Sequence, residues 1–230
     1  MMRYFFCTLC LLLCITTIGQ THKIGYSLSP NYAYRVRQSD NPIFATPTIN
    51  EIPKIGYRAS VSYERAIHKR VSFFVGVSFT NNGYQTEEFE LRYSTMPPPN
   101  APRATSTRTS LYQFGIPIGV NLFFPIKKVK LFLSAGASTQ YLARIRNTNF
   151  RYTIDNRTEK STSNGNKGLY KPLSFAAFGS FGIEFNVVKN MAMRIAPNTH
   201  YTFTNIMDND VAYEVYPTSA GISIGIWYDL

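Results

Sequence analysis

Glu184 and Arg194 are the residues best placed to do chemistry together. They flank a short polar turn at 188–190, and a three-residue turn there sets them directly opposite one another on antiparallel strands. Both share parity with small or polar neighbours, Ser180 and Gly182 on one side and Asn198 and His200 on the other. Such a pair, held out of water, offers charge-assisted hydrogen bonding. It acts either as a plug that fixes strand register or as a gate on a narrow ion path, and the plug is the expected role because a buried charge needs its partner. Arg58 and Glu64 share the corresponding parity of an earlier segment and are expected to extend the pair.

His200 is the remaining candidate for catalysis. A hydrolase would need a nucleophile and an orienting acid around it, and serine and threonine are too abundant for proximity to be informative. No HExxH, GxSxG or GxxxxGK[ST] pattern occurs. Asp208, Asp210 and Glu214 lack the glycine turn and spacing of a calcium loop. Asn156-Arg157-Thr158 is a lone glycosylation sequon. The expectation is a chain with no enzyme activity, no cofactor and no metal.

The elements that must position these residues are strands. The C-terminal stretch alternates Ala220, Ile222, Ile224, Ile226, Tyr228 and Leu230 against Ser219, Gly221, Ser223, Gly225 and Asp229, with Trp227 the one large exception. Period-two alternation is a strand with one apolar and one small or polar face. Seven more such segments are centred on residues 24–34, 55–64, 71–80, 112–124, 131–144, 174–187 and 191–203, and no helical amphipathic segment appears among them. Short links at 66–70, 125–130 and 188–190 alternate with long ones at 37–52, 95–109, 147–172 and 205–217. An even strand number with tight turns at one end and long loops at the other is the layout of a transmembrane β-barrel.

Residues 1–19 read as a secretory signal peptide, with Arg3 before an apolar run at 4–18 and small residues ahead of a cut near Gly19–Gln20. Residues 20–230 then form one barrel domain. All three cysteines, Cys7, Cys10 and Cys14, fall in that leader, and Leu9 and Leu13 are too large for a lipoprotein signal. The mature chain therefore carries no disulfide or thiolate site.

Alternation alone leaves the direction of the apolar face open. A lipocalin-like barrel, binding a small apolar ligand, turns it inward and shows charge to water; a membrane barrel turns it outward. A water-facing surface should be about a quarter to a third charged. Here the opposite face is mostly Gly, Ser, Asn, Gln and Thr, which suits the cramped lumen of an eight-stranded barrel. Tyr63, Phe124 and Tyr228 cluster toward the short-turn end, and Tyr34, Tyr112, Tyr141 and Tyr201 toward the long-loop end, as two interfacial girdles would. The expected fold is all-β, an eight-stranded antiparallel up-and-down transmembrane barrel.

The ending Ser223-Ile224-Gly225-Ile226-Trp227-Tyr228-Asp229-Leu230 resembles the C-terminal signal read by the barrel assembly machinery of the outer membrane, with Ser223, Gly225, Tyr228 and Leu230 at its key positions. Residues 111–125, LYQFGIPIGVNLFFP, with the strand 131–141 after them, resemble the small outer-membrane barrels of Bacteroidota grouped as the PorT family. That resemblance implies an OmpA- or OmpX-like barrel, with termini in the periplasm and loops outside the cell. It does not by itself imply a secretion role.

The formal charge of +11 is concentrated in or beside the long loops, at Arg103, Arg108, Arg144, Arg146, Arg151, Arg157, Lys160, Lys167 and Lys171. A basic outer rim matches the phosphates of lipopolysaccharide. Export and the absence of a nucleic-acid-binding motif argue against nucleic acid as the partner. The expected function is a non-enzymatic envelope protein with a side-chain-filled lumen, serving envelope structure or a partner complex such as secretion or adhesion. A barrel hydrolase using His200 is the catalytic alternative.

Overall fold

The computed structural model describes residues 22–38, 51–93, 101–155, 157–208 and 213–230. The leader, Asn156 and Asp210 lie outside these. Alternation becomes strand wherever it holds. In chain order the strands are β1 (His22–Gln38), β2 (Glu51–Ile52), β3 (Lys54–His68), β4 (Val71–Thr86), β5 (Phe89–Glu90), β6 (Pro102–Ile126), β7 (Val129–Thr153), β8 (Thr158–Asn164), β9 (Leu173–Val188), β10 (Met191–Thr202) and β11 (Glu214–Asp229).

Eight of them, β1, β3, β4, β6, β7, β9, β10 and β11, pair in sequence as an antiparallel ring, and β11 closes on β1. Closure is what lipid demands, because an unpaired backbone amide in hydrocarbon costs several kcal/mol. The C-terminal strand is satisfied on both sides: Ile224 faces Leu28 of β1 and Ile195 of β10.

The apolar face points outward. Ile222, Ile224 and Ile226 are 54%, 48% and 43% exposed, while Gly225 is buried and Ser223 lines the interior. The same holds around the ring, with Tyr26, Leu28, Val77, Phe114, Ile116 and Phe181 all exposed. This excludes the inward-facing, lipocalin-like alternative. The aromatics fall at two levels of the register: Tyr63 and Tyr228 both flank Ile24, and Tyr34 and Tyr201 both flank Thr218.

The long-loop end differs from the expected structureless loops. Residues 102–109 and 147–153, expected in loops, continue β6 and β7 as a hairpin, and β8 adds an edge to it. The extension exists because Ser, Thr, Asn and Arg can pair as strand above the lipid band, where no apolar face is required. A bulge at Ala143, skipped between the pairs Tyr112–Arg144 and Gln113–Leu142, reverses the parity of β7. Arg144, expected on the lumen side, is therefore exposed and donates to Asn164 Oδ1 at 2.9 Å, while Ile145 turns inward and is buried.

Ile145 joins Leu111, Leu142, Ile206, Met207 and Val215 in a small apolar core at the barrel mouth, with Tyr170 and Tyr213 packed on it. Backbone bonds from Lys171 to Ile206, Asp208 to Leu169 and Leu142 to Pro172 hold the two loops across that mouth. Burial, then the neighbouring Tyr84, pushes the Tyr170 phenol up from its ordinary value.

Inside the ring the strands approach closely at glycines. A Cβ on Gly136 would lie 2.2 Å from the Ile118 carbonyl oxygen and 2.5 Å from Phe178 Cζ. Gly136→Val is expected to lower stability by about 1–3 kcal/mol or more through overpacking, whereas Gly179→Ala, whose nearest neighbour would be 3.8 Å away, leaves it unchanged. Heat-modifiable migration on gels separates the two; equal behaviour would contradict this packing.

Candidate functional site

The lumen near the short turns is built from the inward parity of all eight ring strands. Lys23 comes from β1, Glu64 from β3, Ser72 from β4, Asn121 and Phe123 from β6, Lys130 and Phe132 from β7, and Glu184 from β9. Arg194 on β10 and Trp227 on β11 complete it. The register places Arg194 directly opposite Glu184. The turn there has two residues, 189 and 190, and a bulge beside Met191 restores the pairing that a three-residue turn would have produced.

Arg194 is the hub. Its Nε donates to Glu184 Oε2 at 2.7 Å, its Nη1 to Glu64 Oε2 at 2.6 Å and its Nη2 to Glu64 Oε1 at 3.0 Å. Glu64 also accepts from Ser72 at 2.9 Å and from Asn121 at 3.0 Å. Glu184 also receives Lys130 at 2.9 Å, with Lys23 at 3.7 Å. Glu64, Glu184 and Arg194 are each no more than 2% exposed. Both carboxylates are thus saturated by cations and neutral donors, the condition under which buried charge is tolerated.

Arg58 is not part of this network, contrary to the expectation. It lies six residues before Glu64 on β3, about 20 Å along an extended strand, and its Nε donates to Thr80 Oγ1 at 3.2 Å.

The sequence reading missed the aromatic half of the site. The guanidinium of Arg194 sits 4.3 Å from the Trp227 ring centre, 5.0 Å from Phe123 and 5.4 Å from Phe132, within cation–π range. Phe74 and Phe178 meet farther up the lumen at 5.9 Å. These rings sit on the small-residue parity, and the signal was available: each faces a glycine or another ring across its strand pair. Phe74 opposes Gly119, Phe132 opposes Gly182, Phe178 opposes Gly136, Trp227 opposes Gly25, and Phe123 opposes Phe132. Cβ atoms on Gly25 and Gly225 would fall 2.3 and 2.4 Å from Trp227. A narrow barrel accommodates large side chains only where its neighbours are small.

His200 is 2% exposed. Its Nε2 is 3.2 Å from Gln140 and 3.3 Å from Ser138. Nδ1 has no partner, so no acid orients the ring as a triad requires. Among the described residues no cluster of His, Cys, Asp or Glu has metal-site geometry.

A second cluster, also missed, sits at the long-loop end. Glu51 accepts from Arg35 at 2.5 and 2.8 Å and also from Arg37, while Arg35 stacks 3.4 Å over Tyr84.

The basic residues expected on an outer rim are distributed over the β6–β7–β8 extension and the segment after it. Arg103, Arg144, Arg146, Arg151, Arg157, Lys160 and Lys167 are exposed; Arg108 and Lys171 are half-buried. Arg108 donates to Gln85 at 2.8 Å, and Arg108 and Lys160 both lie over Phe150. At the other end, Ser223 and Gly225 face inward and Tyr228 and Leu230 outward, with the Leu230 amide bonded to the His22 carbonyl at 2.8 Å.

Comparison with solved structures finds barrels of low sequence identity. Neisserial surface protein A is 13% identical with a TM-score of 0.49, covering 92% of this chain and 99% of its own. Ail of Yersinia pestis, in complex with the heparin analogue sucrose octasulfate, is 14% identical with a TM-score of 0.34, covering 90% and 97%. The outer-membrane protease OmpT of Escherichia coli is 7% identical with a TM-score of 0.41, covering 94% and 98%. No curated protein sequence matches the chain. The sequence profile described as "Outer membrane protein beta-barrel domain" matches residues 19–211. With its closed eight-strand ring and outward apolar belt, the chain belongs to that outer-membrane β-barrel family.

Proposed function

We propose that this protein is a non-enzymatic structural barrel of the Gram-negative outer membrane whose lumen is closed rather than conducting. The observation that carries the reading is the Arg194 hub, where two saturated carboxylates and three aromatic rings fill the lumen near the short turns. The apolar core under Tyr170 and Tyr213 supports it from the other end.

In this reading residues 1–19 are removed on export, the termini and short turns face the periplasm, and the long-loop end is extracellular. The endings of β11 at Ser223, Gly225, Tyr228 and Leu230 serve the barrel assembly machinery, and the chain groups with the PorT-like barrels of Bacteroidota. The basic β6–β7–β8 extension meets lipopolysaccharide phosphates and presents a surface to an envelope partner in adhesion or secretion. The contact between Ser138 and His200 favours a hydrolase as the second reading. Its burial and the lack of an orienting acid favour a packing role.

Planar bilayers with the purified protein test closure. The expected result is no stable conductance step; large, long-lived steps in the wild type would reject the plug.

A further inference from the structure

Next to the Arg194 hub the barrel holds a cavity of about 130 Å³, walled by serine hydroxyls and aromatic rings, reached by Arg58, His200 and Asn198 and bordered by Glu64 and Arg194. The acids of the described interior are already committed. Both oxygens of Glu64 take Arg194 together with Ser72 or Asn121, both oxygens of Glu184 take Arg194 or the two lysines, and Glu51 is held by two arginines. None is left for Arg58.

Its Nε reaches the neutral Thr80 hydroxyl, and its Nη2 is buried without a partner. His200 Nδ1 is buried without a partner in the same cavity. Lys54, on the same inward parity of β3, donates to Asn81 Oδ1 and the Asn82 carbonyl, and as a cation it adds positive potential and no counter-charge. A guanidinium does not deprotonate in proteins. Water can hydrate it but cannot neutralise it. The cavity is several times the roughly 10–15 Å³ that seats one water, and it is too small for a bulky organic anion.

We propose that this cavity is a binding site for one small inorganic anion of chloride size, held by Arg58 and the surrounding hydroxyls. The cavity borders the hub at Glu64 and Arg194, but those two charges are paired with each other, which leaves Arg58 as the unneutralised cation in its wall. An anion there supplies the charge that the interior lacks, and it stabilises the folded barrel without being transported.

The full chain, refolded in detergent with sodium bromide as the only halide and crystallised, is expected to show an anomalous bromide peak in hydrogen-bonding contact with the Arg58 guanidinium. Water alone at that position would overturn the proposal. In solution, the thermal midpoint in sodium chloride is expected to exceed that in sodium gluconate at equal ionic strength by about 5 °C, and Arg58→Gln should erase the difference. Equal midpoints in the wild type, or a difference retained in Arg58→Gln, would also overturn it. Should Arg58→Gln not fold, the bromide experiment on the wild type decides.

Discussion

Arg194→Ala is expected to destabilise the folded barrel by about 3–5 kcal/mol, the usual cost of leaving a buried charge without its partner. The two carboxylates do not share this loss equally. Without Arg194, Glu184 keeps Lys130 at 2.9 Å and Lys23 at 3.7 Å. Glu64 keeps only the neutral donors Ser72 and Asn121. Most of the cost therefore falls on Glu64, and adding Glu64→Gln to Arg194→Ala should restore a large part of the stability, while adding Glu184→Gln should restore little. Such coupling is what a double-mutant cycle measures. The chain has a single tryptophan, and Trp227 stacks on the Arg194 guanidinium, so its fluorescence reports urea unfolding at the site itself. Equal rescue by the two glutamine substitutions, or a loss below about 1 kcal/mol for Arg194→Ala, would show that the hub is not the buried network described.

Ile224→Lys should cost about 2–4 kcal/mol, the range for a cation on the lipid face near the midplane. Ile224 lies between the level of Tyr63 and Tyr228 and the level of Tyr34 and Tyr201, and its register neighbours Leu28 and Ile195 carry the same belt. The same substitution at Leu230, 67% exposed at the strand end, should cost at most about 1 kcal/mol, because the penalty fades toward the interface. Reversible unfolding from lipid vesicles compares the two. Equal costs at the two positions would mean that these side chains do not see a depth-dependent solvent.

The direction of the apolar face was legible in the sequence because parity is a property of single strands, and closure followed because lipid forbids an unpaired strand edge. Parity sorts side chains between two solvents, and the scarcity of charge on the small-residue face, through Ser27, Ser60, Ser134 and Ser180, says which side is lipid. The pairing of Glu184 with Arg194 was legible too, since a hairpin brings together residues ten apart.

What the sequence could not determine depends on strands distant along the chain or on breaks in parity. The contact of Arg194 with Glu64 spans 130 residues and exists only because the ring closes and a narrow lumen forces opposite walls together. The bulge at Ala143 inverts the side chains that follow it, which sends Arg144 and Arg146 out and Ile145 in. No local preference announces it.

Arg58 shares its parity with Glu64, so the sequence joined them; rise along an extended strand separates them. Away from that bulge, the chain by itself thus set which face a residue occupies, because alternation is a local consequence of backbone geometry. Only the tertiary structure decided which charges meet, because that depends on height and position around a closed ring.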